Sequence, residues 1–280
     1  MSSKHQNSES VAHNPKRGMD WGRVDLEAYN IRVEDQPNFL AFFEVNAVPE
    51  LDVPADLLTA LNATDTEDYS ASYLITEIDF TRSTEWIKDT SPISLVRLIF
   101  DMFHYRHDIY YLSSRKRIQL VVGGKATHSV ADMTTIIEVG TPGWYPVALI
   151  VQDDRHNREW EAERDVNDPE ACLIANAIGA FQEMNQHRKE MGREPLQHRV
   201  FPGVVTQASA PVFYKVDVTQ ELAEAVEHGV RPLTTTVVQR HMPGVPRPEK
   251  RVEEGMKPPD NRGVILGCYK ALKGLISSEC

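Results

Sequence analysis

Apolar positions recur along the chain with two periods. From Pro92 to Leu112 they fall at helical spacing, with Leu95, Leu98, Ile99, Met102 and Tyr105 on one face, and Ser91-Pro92 supplies a cap and first turn. Three strands are predicted next. Arg117–Val122 is closed by the turn pair Gly123-Gly124, Asp132–Val139 is rich in β-branched residues, and Tyr145–Gln152 is a nearly continuous apolar run. Such a run, bounded by turn residues, fits a central strand buried on both faces. Gly140, Pro142 and Gly143 leave only a short turn between the last two, so they are expected to be antiparallel neighbours. Asp168-Pro169-Glu170 then opens a long helix that packs through Ile174, Ile178 and Phe181. Strands over Arg199–Thr206 and Pro211–Val218 follow, then a helix capped by Thr219 and stopped at Gly229, and a strand over Thr234–Arg240. Residues 243–262 hold five prolines and read as a surface loop, and Asn261–Ser277 reads as a closing helix.

The earlier part of the chain is less periodic. Residues 38–46 suit a buried strand or a short helix, and Pro54 introduces another short helix. Tyr73, Ile75, Ile78 and Phe80 alternate loosely, which predicts a strand over 72–80. Residues 1–25 are polar and poor in aliphatics, with Trp21 their one large hydrophobe, and read as a disordered tail. Residues 26–280 then form one domain of the α/β (α+β) class, a central mixed sheet flanked by helices, with its core over about 92–218 and elaborations at both ends. No glycine-rich phosphate loop follows any strand.

Composition narrows the functional classes. No window approaches ~18 consecutive apolar residues, so no transmembrane helix is predicted. The polar start of the chain has no apolar h-region and predicts no secretory signal. Three scattered cysteines point to a reducing compartment, cytoplasm or nucleus. With 30 Lys and Arg against 41 Asp and Glu, the net charge of −11 disfavours nucleic acid as a partner, although a local basic patch is compatible with it.

The order α–β–β–β–α–β from Pro92 to Thr206 resembles the restriction-endonuclease-like core of the PD-(D/E)XK nuclease-like superfamily. The resemblance implies an acidic residue on the second core strand and an acidic-x-Lys pair ending the third, which share a Mg²⁺ or Mn²⁺ and activate water. Asp132 stands at the first position. The third strand ends L-I-V-Q-D-D, which puts Gln152 at the second carboxylate and Asp154 at the lysine, and the polar partner on the following helix is Gln182. A one-residue shift brings Asp153 forward, so that Asp132, Asp153 and Asp154 become the candidate metal ligands. From Asp168 onward the phrases DPEACLIANAIGAFQ, FPGVVTQASAPVFYKVDVT, RHMPG and GMKPPDNRGVILGCYKALKG are similar to uncharacterised proteins of mushroom-forming fungi.

Other constellations read as ordinary surface. His104, His107 and Asp108 share a helix face and have metal-ligand spacing, but they lack a third distant ligand. The run from Asp153 to Glu170 holds eight acids and three arginines, and Ser113–Arg117 reads as an exposed basic turn. Cys172 lies among apolar residues and reads as core. The expected function is a nuclease-fold protein with a degenerate motif that binds or regulates. The alternative is a divergent metal-dependent enzyme, a phosphodiester hydrolase or an enzyme of fungal secondary metabolism, built on Asp132, Asp153 and Asp154.

Overall fold

A computed structural model of the chain describes residues 16–82, 92–105, 110–137, 146–154 and 167–276. Seven strands form one mixed sheet: β1 (Ile31–Asp35), β2 (Tyr110–Val122), β3 (Lys125–Ile137), β4 (Val147–Asp153), β5 (His198–Gln207), β6 (Ala210–Thr219) and β7 (Thr236–His241). Their spatial order is β1-β7-β6-β5-β4-β3-β2. The meander β2–β3–β4 is antiparallel, β4 pairs with β5 in parallel, β5–β6–β7 is antiparallel again, and β1 joins β7 in parallel. The antiparallel β3–β4 pair is as the short glycine–proline turn predicts.

Helices cover both faces. One face carries α1 (Arg23–Ala28), α5 (Pro169–Glu190) and α6 (Gln220–His228), whose apolar residues join Ile118, Leu120, Ile150 and Val216 in one core. The other carries α2 (Phe39–Phe43), α3 (Tyr69–Arg82), α4 (Pro92–Met102) and α8 (Pro259–Leu272), packed over Met133, Val151, Val204 and Phe213. A single turn, α7 (Arg251–Glu254), precedes α8. Among the described residues no helix is long and apolar enough to cross a membrane.

α5 crosses the sheet diagonally at close range. A Cβ on Gly203 of β5 would lie 2.8 Å from Leu173, and one on Gly179 would lie 2.5 Å from the carbonyl oxygen of Gln119 on β2. Glycine at these two positions lets helix and strands approach. Four polar residues of α5 each find a strand. Glu170 meets Tyr214 of β6 at 2.9 Å and Arg240 of β7 at 3.1 Å. Asn176 reaches β4, and Gln182 and Glu183 reach the edge strand β2.

Several expectations are corrected. Residues 72–80 lie in a helix: Ala71, Leu74, Ile75 and Ile78 are buried at helical spacing, and Asp68 caps the first turn by accepting from the Ala71 N–H at 2.8 Å. The tail reading fails over Lys16–Asp25, where Gly18, Trp21 and Asp25 are buried and the backbone of Trp21 accepts from the Asp168 N–H at 3.0 Å. Residues 1–15 lie outside the described residues. The basic run Ser113–Arg117 belongs to β2 rather than to a turn, and the proline-rich segment 243–262 contains α7 and the start of α8.

Candidate functional site

β2 and β3 do not keep one face throughout. Ile118, Leu120 and Val122 lie in the core under α5, whereas Leu112, of the same parity, packs into the opposite core. On β3, Ala131 belongs to the first core and Met133 to the second. Arg115, in left-handed backbone conformation at φ 50°, lies between the ladder pairs Ser114–Met133 and Lys116–Ala131, opposite Asp132. A left-handed, bulge-like residue re-aims the side chains on either side of it.

Asp132 also stands one position beyond the last ladder pair with β4, Met133 with Val151. Its Oδ2 accepts from the Gln152 amide Nε2 at 2.7 Å and from the Asp153 backbone N–H at 3.0 Å. Because an ionised carboxylate only accepts, Gln152 must present its NH₂ there, which turns its Oε1 towards α5. Asn176, fully buried on α5, donates to that Oε1 at 3.4 Å. Its own Oδ1 has no hydrogen-bond partner among the described residues. Asp153 is buried and paired in register with Thr206 of β5, and the Asp154 N–H donates to the Thr206 carbonyl at 2.8 Å. β4 therefore runs straight through the site as a continuing parallel partner of β5.

The structure thus brings the side chains of Asp132 and Gln152 together with the backbone N–H of Asp153, and Asp154 follows the end of β4. It places Gln182 elsewhere. The Gln182 side chain accepts from the Val121 N–H at 2.9 Å and donates to the Val121 carbonyl at 3.2 Å and the Ala223 carbonyl at 3.1 Å. Glu183 accepts from the Gln119 N–H at 2.5 Å, and burial raises its carboxyl pKa. Together they satisfy the outer backbone of β2, an exposed edge that would otherwise invite another strand. In place of Gln182, α5 offers Asn176. Its signal in the sequence is one amide inside the apolar run Ala171–Ala180.

The donor set does not fit a shared divalent cation. Mg²⁺ and Mn²⁺ are held chiefly by carboxylate oxygens. Here the inward oxygen of Asp132 already receives two N–H donors, and the neighbouring side chain is an amide. Among the described residues no group of three His, Cys, Asp or Glu side chains converges as a metal site. His104 is exposed at the end of α4, and His107 and Asp108 lie outside the described residues, as does most of the acidic run, 155–166. Cys172 is no nucleophile: burial pushes its thiol up to about 12, nearby carboxylates add to the shift, and its Sγ–H donates to the Met19 carbonyl at 3.2 Å.

No protein-family model matches the chain, and no curated protein matches it.

Proposed function

We propose that this chain is a nuclease-fold protein of the PD-(D/E)XK type that binds or regulates rather than cleaves. The carrying observation is the 2.7 Å hydrogen bond from Gln152 Nε2 to Asp132 Oδ2. At the place where the resemblance puts a second carboxylate and a metal ion between the two acids, an amide N–H donates to the first acid directly. The backbone order supports the reading: α4, the antiparallel meander β2–β3–β4, α5, and β5 parallel to β4. The lysine position holds Asp154, which adds negative charge where a cation would assist an attacking water and would repel a scissile phosphate.

The test is metal titration by calorimetry, combined with cleavage assays on linear and supercoiled DNA and on RNA. Wild type is expected to show no saturable Mg²⁺ or Mn²⁺ binding tighter than about 1 mM and no cleavage. The variant Gln152→Glu, Asp154→Lys is expected to gain metal binding. Metal-dependent cleavage by wild type that disappears in Asp132→Ala would overturn the reading in favour of a divergent enzyme built on Asp132, Asp153 and Asp154.

A further inference from the structure

Beyond Arg115 the β2–β3 hairpin has one covered face and one open face. Ile118, Leu120 and Val122 point into the core under α5, so by strand alternation Arg117 and Gln119 point away from it, and both are exposed. Arg117 Nη2 lies 3.2 Å from His128 Nδ1. A guanidinium has only donors, so the imidazole nitrogen accepts. Arg115, two residues earlier, is also exposed. Arg97 of α4 donates to Ser114 Oγ at 3.1 Å and brings a third guanidinium to the same strand.

Arg97, Arg115 and Arg117 form no ion pair among the described residues, whereas Arg17, Arg240 and Arg247 each find a carboxylate within 2.8 Å. Arg115 and Arg117 share β2 and Arg97 reaches it through Ser114, so three guanidiniums without an ion pair among the described residues meet at one strand. Each offers a planar fork of donors matched to a carboxylate.

We propose that the open face of this hairpin, around Arg97, Arg115 and Arg117, docks an acidic, carboxylate-bearing segment of a partner protein. Charge complementarity selects the occupant. Nucleic acid is the other polyanion, and two observations weigh against it. Residues 113–130 contain no Phe, Tyr or Trp on which bases could stack, and the net charge of −11 repels an extended polyphosphate. A short acidic segment needs only the local field, within a Debye length of about 8–10 Å. The surface lies beside Asp132, but the inference does not depend on whether that position holds a metal.

Fluorescence anisotropy of a labelled oligoglutamate peptide on the full chain tests it, with labelled single-stranded and duplex oligonucleotides measured at the same ionic strength. Wild type is expected to bind the peptide more tightly than either oligonucleotide. The double variant Arg115→Asn, Arg117→Ala is expected to weaken peptide binding about tenfold or more; Asn is chosen because it tolerates the left-handed backbone at φ 50°. Arg97→Ala, on a separate element, provides an independent arm with a loss in the same direction, and Lys189→Ala at the far end of α5 is expected to change nothing. Absence of peptide binding, peptide binding that both arginine variants retain at full strength, or tighter binding of an oligonucleotide than of the peptide would overturn the proposal.

Discussion

Trp21 stacks on Tyr29, with ring centroids 5.4 Å apart and planes 14° from parallel. Both rings are buried in the core beneath α5. Ahead of them Gly18 is so close to the sheet that a Cβ would lie 2.5 Å from Ser129. Residues 16–25 of the segment that composition marks as a tail are therefore a lid on the end of the core, and Trp21→Ala is expected to cost about 3–5 kcal/mol, read as a lower midpoint in urea denaturation. An unchanged midpoint would mean that the stack contributes nothing.

Arg262 is fully buried and forms no ion pair among the described residues. Its guanidinium donates to the carbonyl oxygens of Met256, Leu57, Ala60 and Lys257 at 3.1, 2.6, 3.0 and 2.8 Å. It thus ties α8 to the turn after Pro54. Arg262→Met is expected to destabilise by about 3–5 kcal/mol, since four buried acceptors lose a charged donor and the hydrophobic replacement satisfies none of them. Arg262→Lys is expected to recover only part of this, because an ammonium cannot span four acceptors in one plane. Chemical denaturation of the three proteins checks the order wild type, Lys, Met.

Gln182→Ala is expected to lower stability by about 1–3 kcal/mol and to promote self-association, because it bares the Val121 amide and carbonyl on the edge of β2. Sedimentation velocity at rising protein concentration tests the second part. A variant that melts with wild type and sediments as wild type does would remove Gln182 from the edge-protecting role.

His241 gives the protein a weakness on the acid side. Its imidazole is buried among Phe39, Phe42 and Phe43, and its Nδ1 lies 2.8 Å from the Gln36 carbonyl. Burial lowers its pKa from the usual 6.5, and the Gln36 carbonyl offsets part of the shift. Lys215 lies over the Phe42 ring at 5.4 Å and is paired with Glu44 at 2.7 Å. The unfolded chain then binds the proton more readily than the folded one. Stability is fully present above about 6.5 and is lost as pH falls from there through the folded-state value. His241→Leu is expected to flatten the dependence of the urea midpoint on pH between about 6.5 and 5.5, above the main carboxylate titrations. A slope as steep as in wild type would assign the acid sensitivity to other groups.

Much of the sheet and its helices was legible in the sequence, because period and punctuation agreed there. β4 is a run of apolar residues between turn signals, α5 starts at Asp168 with Pro169, and α6 runs from the Thr219 cap to a left-handed Gly229. α3 misled because Tyr73 and Phe80, both exposed, imitated alternation, while the buried Ala71, Leu74, Ile75 and Ile78 carried the true period. The switch of face at Arg115 has no sequence signature, since nothing in Ser-Arg-Lys-Arg announces a left-handed residue. The pairing of Asp132 with Gln152 followed from strand order. Asn176 did not, because one amide on a helix names no partner until the crossing angle of that helix is known.

The diagonal path of α5 has a consequence for how the molecule comes apart. Its polar side chains are fastened to β6 and β7 at one end, to β4 midway and to β2 at the other. None of β2, β4, β6 and β7 can detach without releasing a polar group from the helix, and the helix cannot lift without releasing all of them. Partial opening is thereby penalised, and the span should behave as one cooperative unit. Amides as far apart as those of Leu120 and Val216 would then exchange with deuterium only through a single shared opening, at one common free energy.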